Sequence, residues 1–487
     1  MGDRSHSPIS CSRRKFLKTA FAGTAIMAGL RVDGTWGEEE GDLPKLPPVR
    51  VYYVFAGRTG NAYLTRPAEE IPKFRAFFGE LEKKLKTVHG TVRFVGGDQI
   101  PPADATSIAG KLKEEADALL IIHLSGHGGD APVLTKLVDV GLPTIVFSQP
   151  FSGHGWMYFP IWRKEKRRVV LVPSSDWADL ERAIGLLRAP AWMKRTKILA
   201  VGAPHGTAAA CSREKVKEKL GAELVVIQNK RIYDCMATIH QKDAEAEAED
   251  YWIRPAKGIV EPRRNEIIES AKMFLAVKRI MAQERAQAIC SIYCMGDPRG
   301  CLTFSKLNDM GYVGGCEGDI DSTLTMLIFS YAFGVPGFIS DPVIDVSKNA
   351  MIHFHCTSAT KMDGPKGERL PFVIRSQADT GAGVSLEVEH RVGQPVTCAK
   401  LIDLEVMLAV SGKIIGTSKN PLACRTQFTQ TVPDARRLFL RWGEDVIHGD
   451  VMTLLHRVVF YGDYMKPLQD LADLMGFRLI EEGSGPL

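Results

Sequence analysis

The chain lacks a long apolar run that would mark a clear membrane span. Its best candidate, Thr19 to Leu30, is short and rich in Gly and Ala. It has no G-x-G-x-x-G, which removes the usual dinucleotide-binding fingerprint, and no G-x-S-x-G, which removes the usual support for serine-based hydrolysis. No internal repeat or low-complexity tract stands out. There are 10 cysteines; Cys11 lies near the N-terminus, and the odd number that remains cannot all pair with one another. Cys290, Cys294 and Cys301 lie close together, but C-x3-C-x6-C lacks the partner half of a zinc site. Buried thiols are therefore expected, not a disulfide scaffold. Excess charge is scarce as well. The formal charge is +5, and residues 1–37 supply most of it: Arg4, Arg13, Arg14, Lys15, Lys18 and Arg31 stand against Asp3 and Asp33. The rest is close to neutral and offers no electrostatic case for a nucleic-acid partner.

What is present is a chain of 487 residues with a 45% hydrophobic and 24% charged share, which suits a soluble globular protein of several domains. Near the N-terminus, Ser12-Arg13-Arg14-Lys15-Phe16-Leu17-Lys18 precedes the short apolar stretch. This resembles a twin-arginine export signal over residues 1–37. The resemblance implies transport of the folded protein by the twin-arginine translocase to a periplasmic or other extracytoplasmic location. No clean A-x-A precedes Glu38, so a retained membrane anchor stays open.

Residues 38–48 read as an acidic, then Pro-rich, linker. Apolar strand-like runs alternate with helical periodicity from Val49 onward. Val49 to Phe55, Thr91 to Val95, Ala118 to Leu124, Thr144 to Phe147 and Val169 to Pro173 are the strands, with helices at Ile71 to Leu85 and Ala105 to Ala116. Residues 49–195 are thus expected to form a doubly wound, Rossmann-like α/β domain. A second such domain is expected over 196–340. It has strands at Lys197 to Gly202, Glu223 to Gln228, Ala286 to Tyr293 and Tyr312 to Cys316, and helices at 213–220, 231–248 and 261–280. From 341 to 487 helical periodicity nearly vanishes. Short alternating runs at 349–355, 371–376, 383–390, 395–402, 404–415, 423–429 and 436–441 predict a β-rich, barrel-like or sandwich domain. A helix from about Lys466 to Met475 and a strand at Phe477 to Ile480 close it.

Gly314 to Pro342 carries the chemistry-bearing residues. Glu317 follows one strand-like run, and Asp341 ends the next, Val335 to Ile339. As a parallel βαβ unit, this spacing would put both carboxylates at the same carboxyl edge of a sheet, where open α/β sheets bind ligands. His456 comes from far downstream. Two carboxylates and one imidazole suit a hard or borderline divalent ion such as Mn²⁺, and three protein ligands leave positions open for substrate oxygens.

The stretch C-E-G-D-I-D…G-V-P-G-F-I-S-D, followed by H-R-V-V-F-Y-G and a terminal helix, resembles the L-fucose isomerase and L-arabinose isomerase family. That resemblance implies two α/β domains before a β-rich one, and a catalytic Mn²⁺ held by Glu317, Asp341 and His456. It also implies aldose–ketose isomerisation through an enediolate. Glu317 and Asp341 would pass the proton between C2 and C1, with no nicotinamide or flavin. The family's oligomers imply self-association. Arabinose isomerases place a second His soon after the second carboxylate, and His353 and His355 sit in that neighbourhood; a core pair is the equal alternative.

Further substrate candidates are His127 in H-L-S-G-H-G-G, Trp156 in G-H-G-W, and Gln427 in C-R-T-Q. Each has a plain structural alternative as a turn or core residue. Two functions follow: a metal-dependent sugar isomerase, or an exported carbohydrate-binding protein that keeps the fold without turnover. The first predicts that the Glu317 and Asp341 carboxylates and a ring nitrogen of His456 converge on one point, about 2.0–2.3 Å from a common ion.

Overall fold

Five parallel strands form the first sheet: Val49–Ala56 (β1), Val92–Ile100 (β2), Ala118–His123 (β3), Thr144–Ser148 (β4) and Val169–Val172 (β5). They lie in the order β2-β1-β3-β4-β5, a doubly wound arrangement that reverses direction between β1 and β3. β3 is buried at every residue, as a central parallel strand covered on both faces must be. The structure, a computed structural model, describes residues 42–57, 65–101, 103–124, 131–292, 296–443, 446 and 451–484.

A second parallel sheet follows, with strands Lys197–Val201 (β6), Glu223–Ile227 (β7), Ala288–Ser291 (β8) and Val313–Gly315 (β9), in the order β7-β6-β8-β9. Its reversal falls between β6 and β8. The loops leaving β6 and β9 are stitched together there. The N–H of His205 donates to the Gly318 carbonyl at 2.8 Å, and the N–H of Ile320 to the His205 carbonyl at 2.9 Å. The helix Ile320–Phe333 runs on from this edge. It is apolar nearly all round and buried along its length, as a helix enclosed by other elements should be.

The last third closes into a six-stranded antiparallel barrel. Its strands are Phe338–Asp345 (β10), Ala350–His355 (β11), Pro395–Ile402 (β14), Val406–Thr417 (β15), Thr426–Thr431 (β16) and Arg457–Tyr461 (β17). The ring runs β14-β17-β10-β11-β16-β15 and returns to β14. Closure leaves these strands without an open edge. Phe372–Arg375 (β12) and Ser385–Val388 (β13) pair separately, and Arg478–Glu481 (β18) adds in parallel to β15. The helix Ile320–Phe333 docks on the barrel wall, where Phe329 stacks on Phe460 of β17 with ring centroids 3.6 Å apart. The fold is therefore parallel-sheet α/β followed by an antiparallel barrel.

Three local expectations are corrected. The strand carrying Asp341 does not join the central parallel sheet. It is β10 of the barrel, antiparallel to β11 and β17. Residues 436–441 are not a strand: Ala435–Leu440 is a helix, because the Asp434 side chain accepts from the N–H of Arg437 and Ala435 and Leu438 bury one helical face. The helix expected over 231–248 breaks in two, Asn229–Met236 and Gln241–Glu247. No helix among the described residues is long and apolar enough to cross a membrane.

Candidate functional site

Glu317 is delivered by an unusual turn. β9 ends in Gly314 and Gly315, where larger residues do not fit. A Cβ at Gly314 would lie 2.6 Å from the Phe304 Cα, and one at Gly315 would lie 2.2 Å from the Thr323 Oγ1. The chain then passes through the left-handed region twice, at Glu317 (φ 56°) and Gly318 (φ 67°). That conformation is strained for glutamate and frees its carboxylate from the helix that begins at Ile320. Asp319 caps that helix by accepting from the N–H of Ser322.

The barrel supplies the other groups through its register. Ser340 of β10 faces Arg457 of β17, so Asp341 and His456, each one residue further along, stand side by side at the rim. Asp341 in turn faces Phe354 of β11, which brings His355 alongside. His456 Nε2 lies 3.3 Å from Glu317 Oε2 and 3.3 Å from Asp341 Oδ1. His355 Nε2 lies 3.6 Å from Glu317 Oε1. Both Nε2 atoms are buried and lack a well-aligned hydrogen bond.

The two imidazoles are held in opposite senses. His456 Nδ1 is 2.9 Å from Asp319 Oδ2, so Nδ1 carries a proton, and the facing carboxylates favour a second proton on Nε2, a position that a bound cation would take instead. His355 Nδ1 instead accepts from the N–H of Cys356 at 2.9 Å, which puts the proton of the neutral ring on Nε2. His456 thus turns Nε2 toward Glu317 and Asp341, and the neutral His355 ring turns an Nε2–H toward Glu317. Asp319 is itself braced by Lys400, whose Nζ lies 2.7 Å from Oδ2 and donates to the Thr453 carbonyl at 2.8 Å.

The electrostatics follow. The His355 and His456 rings facing it at 3.6 and 3.3 Å hold Glu317 far below the usual carboxylate range, against the opposing effect of burial. Burial would depress His456, but Asp319, Asp341 and Glu317 outweigh it and raise its pKa well above the ordinary value. Burial also opposes protonation of His355, and Glu317 again prevails. Asp321 is pushed up to about 6 by burial. Its oxygens accept from the Thr207 N–H at 2.6 Å and the Thr207 hydroxyl at 2.7 Å, which pins the loop after β6.

Pro204, His205 and Gly206 of that loop line a cavity of about 340 Å³ together with Glu317, Asp319 and His456. Donor atoms about 2.1 Å from one ion lie about 3.0–3.4 Å apart. The 3.3 Å spacings around His456 Nε2 match that range. Glu317, His355 and His456 each offer a ligand atom within 4.8 Å of the others, and Asp341 joins them through His456, so the cluster carries oxygen and nitrogen donors of the kind a divalent ion takes.

Of the remaining sequence candidates, only His355 is brought to this cluster. His353 lies inside the barrel with both ring nitrogens engaged, Nδ1 with the Ser340 hydroxyl at 2.7 Å and Nε2 with Gln430 Oε1 at 3.1 Å. Gln427 is spent on its own loop, donating to the Asn420 and Cys424 carbonyls. Trp156 lines a separate hollow beyond β4 and β5 with Phe151 and His154. His127 lies outside the described residues. The sequence reading overlooks Asp319, Lys400 and His205. Asp319 sits two residues from Glu317 in E-G-D. Lys400, in P-V-T-C-A-K-L-I, is a lone cation in a strand buried from Val396 to Ile402, Lys400 included.

Comparison with known proteins finds distant likeness to sugar isomerases. The chain is 30% identical over 185 residues to a sulfoquinovose isomerase of Clostridium sp. (strain MSTE9), a match covering 36% of this chain and 38% of that one. It is 25% identical over 189 residues to the sulfoquinovose isomerases of Priestia aryabhattai and Priestia megaterium, covering 36% of this chain and 41% of each. The chain thus matches about two fifths of the length of these curated relatives. These likenesses support distant kinship to sugar isomerases without singling out L-fucose isomerase. No family model matches. Among solved structures, a probable maltose operon transcriptional repressor from Staphylococcus aureus (11% identity, 58% of this chain, 88% of that one) has a TM-score of 0.17. An arabinose-binding protein from Geobacillus stearothermophilus (13%, 59% and 89%) has the same score. At that score neither likeness bears on fold or function.

Proposed function

We propose that the protein is a metal-dependent aldose–ketose isomerase acting on a sugar through an enediolate. The observation that carries this reading is the buried Nε2 of His456, set 3.3 Å from both Glu317 and Asp341 and oriented from behind by Asp319. An imidazole whose far nitrogen is fixed by a carboxylate is the usual support of a metal-binding histidine. Glu317, Asp341 and His456 would hold the ion, with Mn²⁺ the best match to two oxygens and one nitrogen. When bound, a divalent ion supplies Lewis-acid polarisation of a carbonyl and offsets charge developing on adjacent oxygens.

The chain's own groups do the rest. Glu317, half-exposed on its turn, lines the cavity, and Asp341 on the barrel rim approaches the same His456 nitrogen, so one would take the C2 proton and the other return a proton at C1. His355 directs its Nε2–H at the same space and can hold a substrate oxygen there. The likeness to sulfoquinovose isomerases supports a sugar as substrate and adds sulfoquinovose to the aldoses worth assaying. Residues 1–37 are read as an export signal for the folded, metal-loaded protein, and self-association as part of its working state.

The test is a panel of aldoses, sulfoquinovose included, assayed for ketose formation with Mn²⁺, alongside metal content by mass spectrometry. Wild-type protein should hold Mn²⁺ stoichiometrically and form a ketose from at least one sugar. Glu317→Gln should lose both. A protein that binds sugars with no metal and no ketose would instead be a carbohydrate-binding protein on the same fold.

A further inference from the structure

Four cysteines from four separate elements meet beside the candidate active site. Cys301 opens the helix Cys301–Asp309, Cys316 follows β9, Cys356 follows β11, and Cys424 lies in the loop before β16. No C-x-x-C joins any two of them, so nothing in the local sequence announces the cluster. Cys356 is its hub. Its Sγ lies 3.5 Å from the Cys301 Sγ and 3.5 Å from His355 Nδ1. The thiols of Cys316 and Cys424 are also within hydrogen-bonding reach of it. The ligand atoms of Cys316, His355 and Cys356 all lie within 4.8 Å of one another. Cys301, Cys316, Cys356 and His355 are each buried to 2% exposure or less.

Buried cysteines commonly serve as small hydrophobes, each packed against apolar neighbours. Here the sulfur atoms face one another and a ring nitrogen instead. A tetrahedral ion with metal–sulfur bonds of about 2.3 Å sets neighbouring sulfurs about 3.8 Å apart and a sulfur–nitrogen edge at about 3.5 Å. The Cys356–His355 spacing of 3.5 Å matches the sulfur–nitrogen edge, the Cys301–Cys356 spacing of 3.5 Å is within a few tenths of an ångström of the sulfur–sulfur edge, and the Cys316 ligand atom lies within 4.8 Å of those of His355 and Cys356.

We propose that Cys316, Cys356 and His355 Nδ1, with Cys301 beside them, form a second metal site that takes a thiophilic ion such as Zn²⁺, chemically distinct from the oxygen-rich site at Glu317, Asp341 and His456. Thiolate ligands select such ions, whereas carboxylates favour Mn²⁺. On binding, the Cys316 and Cys356 thiols each release a proton to solvent as a metal–sulfur bond forms, and Nδ1 exchanges its contact with the Cys356 N–H for the ion. The neutral His355 ring then keeps its proton on Nε2, the nitrogen that faces Glu317. The two sites share His355 as a common wall, and the thiophilic ion fixes the orientation of that wall. Full burial of the ligands means the ion enters as the chain folds and leaves slowly.

The test uses the full chain, produced with Zn²⁺ and separately with Co²⁺ as the spectroscopic probe. The Co²⁺-loaded wild type should show thiolate-to-cobalt charge transfer in the near ultraviolet. Cys316→Ser and Cys356→Ser should each lose it, with affinity reduced more than about 100-fold, since removing even a supporting residue costs about 10- to 100-fold. Glu317→Gln should keep that band while losing Mn²⁺, so failure of the isomerase reading and failure of this one are separable. Absence of the band in the wild type overturns the proposal, and needs no variant to fold. So does a band that persists in the Cys316→Ser/Cys356→Ser double variant. A thiol count two short of the sequence in the purified protein, meaning a disulfide in the cluster, overturns it as well.

Discussion

Asp319 sits between two cationic partners, Lys400 and His456, and is buried with both. Removing its charge would leave the Lys400 ammonium in the interior with only the Thr453 carbonyl. An uncompensated buried charge of this kind costs about 3–5 kcal/mol. Asp319→Asn should therefore lower the stability of the metal-free protein by that order, read from urea denaturation, and weaken Mn²⁺ binding by about 10- to 100-fold. Glu317 should behave differently. Its left-handed backbone costs about 1–3 kcal/mol, and glycine would relieve that strain while adding about 0.4–1 kcal/mol of unfolded-state entropy. Glu317→Gly should abolish Mn²⁺ binding, while relief of the backbone strain offsets the lost contacts to His355 and His456 and keeps the net loss of stability below about 2 kcal/mol. A large loss of stability in this variant would mean that Glu317 is a structural residue.

At the scale of elements, the loop after β6 forms one wall of the site. Asp321 holds it through Thr207, and Gly206 (φ 126°) lets the backbone pass close by. A Cβ at Gly206 would lie 2.3 Å from Asp321 Oδ2. Gly206→Ala should break this clamp, costing about 1–3 kcal/mol and raising KM for the sugar more than it lowers kcat, because the loop lines the cavity without touching the ligand set. Equal falls in kcat and kcat/KM would contradict that placement. Element type was legible from periodicity where a segment buries a regular face: β3, β14 and the helix Arg213–Leu220 coincide with the runs that predict them. It was not legible at 436–441, where R-R-L-F-L-R alternates like a strand but an Asp434 cap and an Ala435–Leu438 face make a helix.

On the scale of the molecule, His89 pins the β1–β2 layer to the central part of the chain. Its Nε2 lies 2.8 Å from the Gly311 carbonyl and 3.1 Å from the Ser330 hydroxyl. Burial lowers its pKa from 6.5 to about 4. Between those values the unfolded chain takes up a proton that the folded one refuses, so stability rises with pH across this window and is lost as pH falls through it. The contribution is about 3 kcal/mol in all. His89→Gln should cost stability at pH 7, and its penalty relative to wild type should shrink by about that amount between pH 6.5 and pH 4, with no further change above pH 6.5. Denaturant titrations of both proteins at a series of pH values would check this; a penalty independent of pH would show that His89 titrates normally in the fold.

By itself, the sequence marked most strands and helices and the change from parallel α/β to β-rich texture, and it singled out Glu317, Asp341 and His456 through a family resemblance. These are local properties: periodicity, turn residues and short motifs. Only the tertiary structure decided that Asp341 lies on a barrel strand, that the β10–β17 register sets it beside His456, and that Asp319 and Lys400 stand behind that histidine. It also separated His355 from His353 and gathered four scattered cysteines around Cys356. Strand partners and register arise from closing a ring across more than a hundred residues. No local signal encodes that closure, and a shift of one residue would turn each of these side chains to the opposite face.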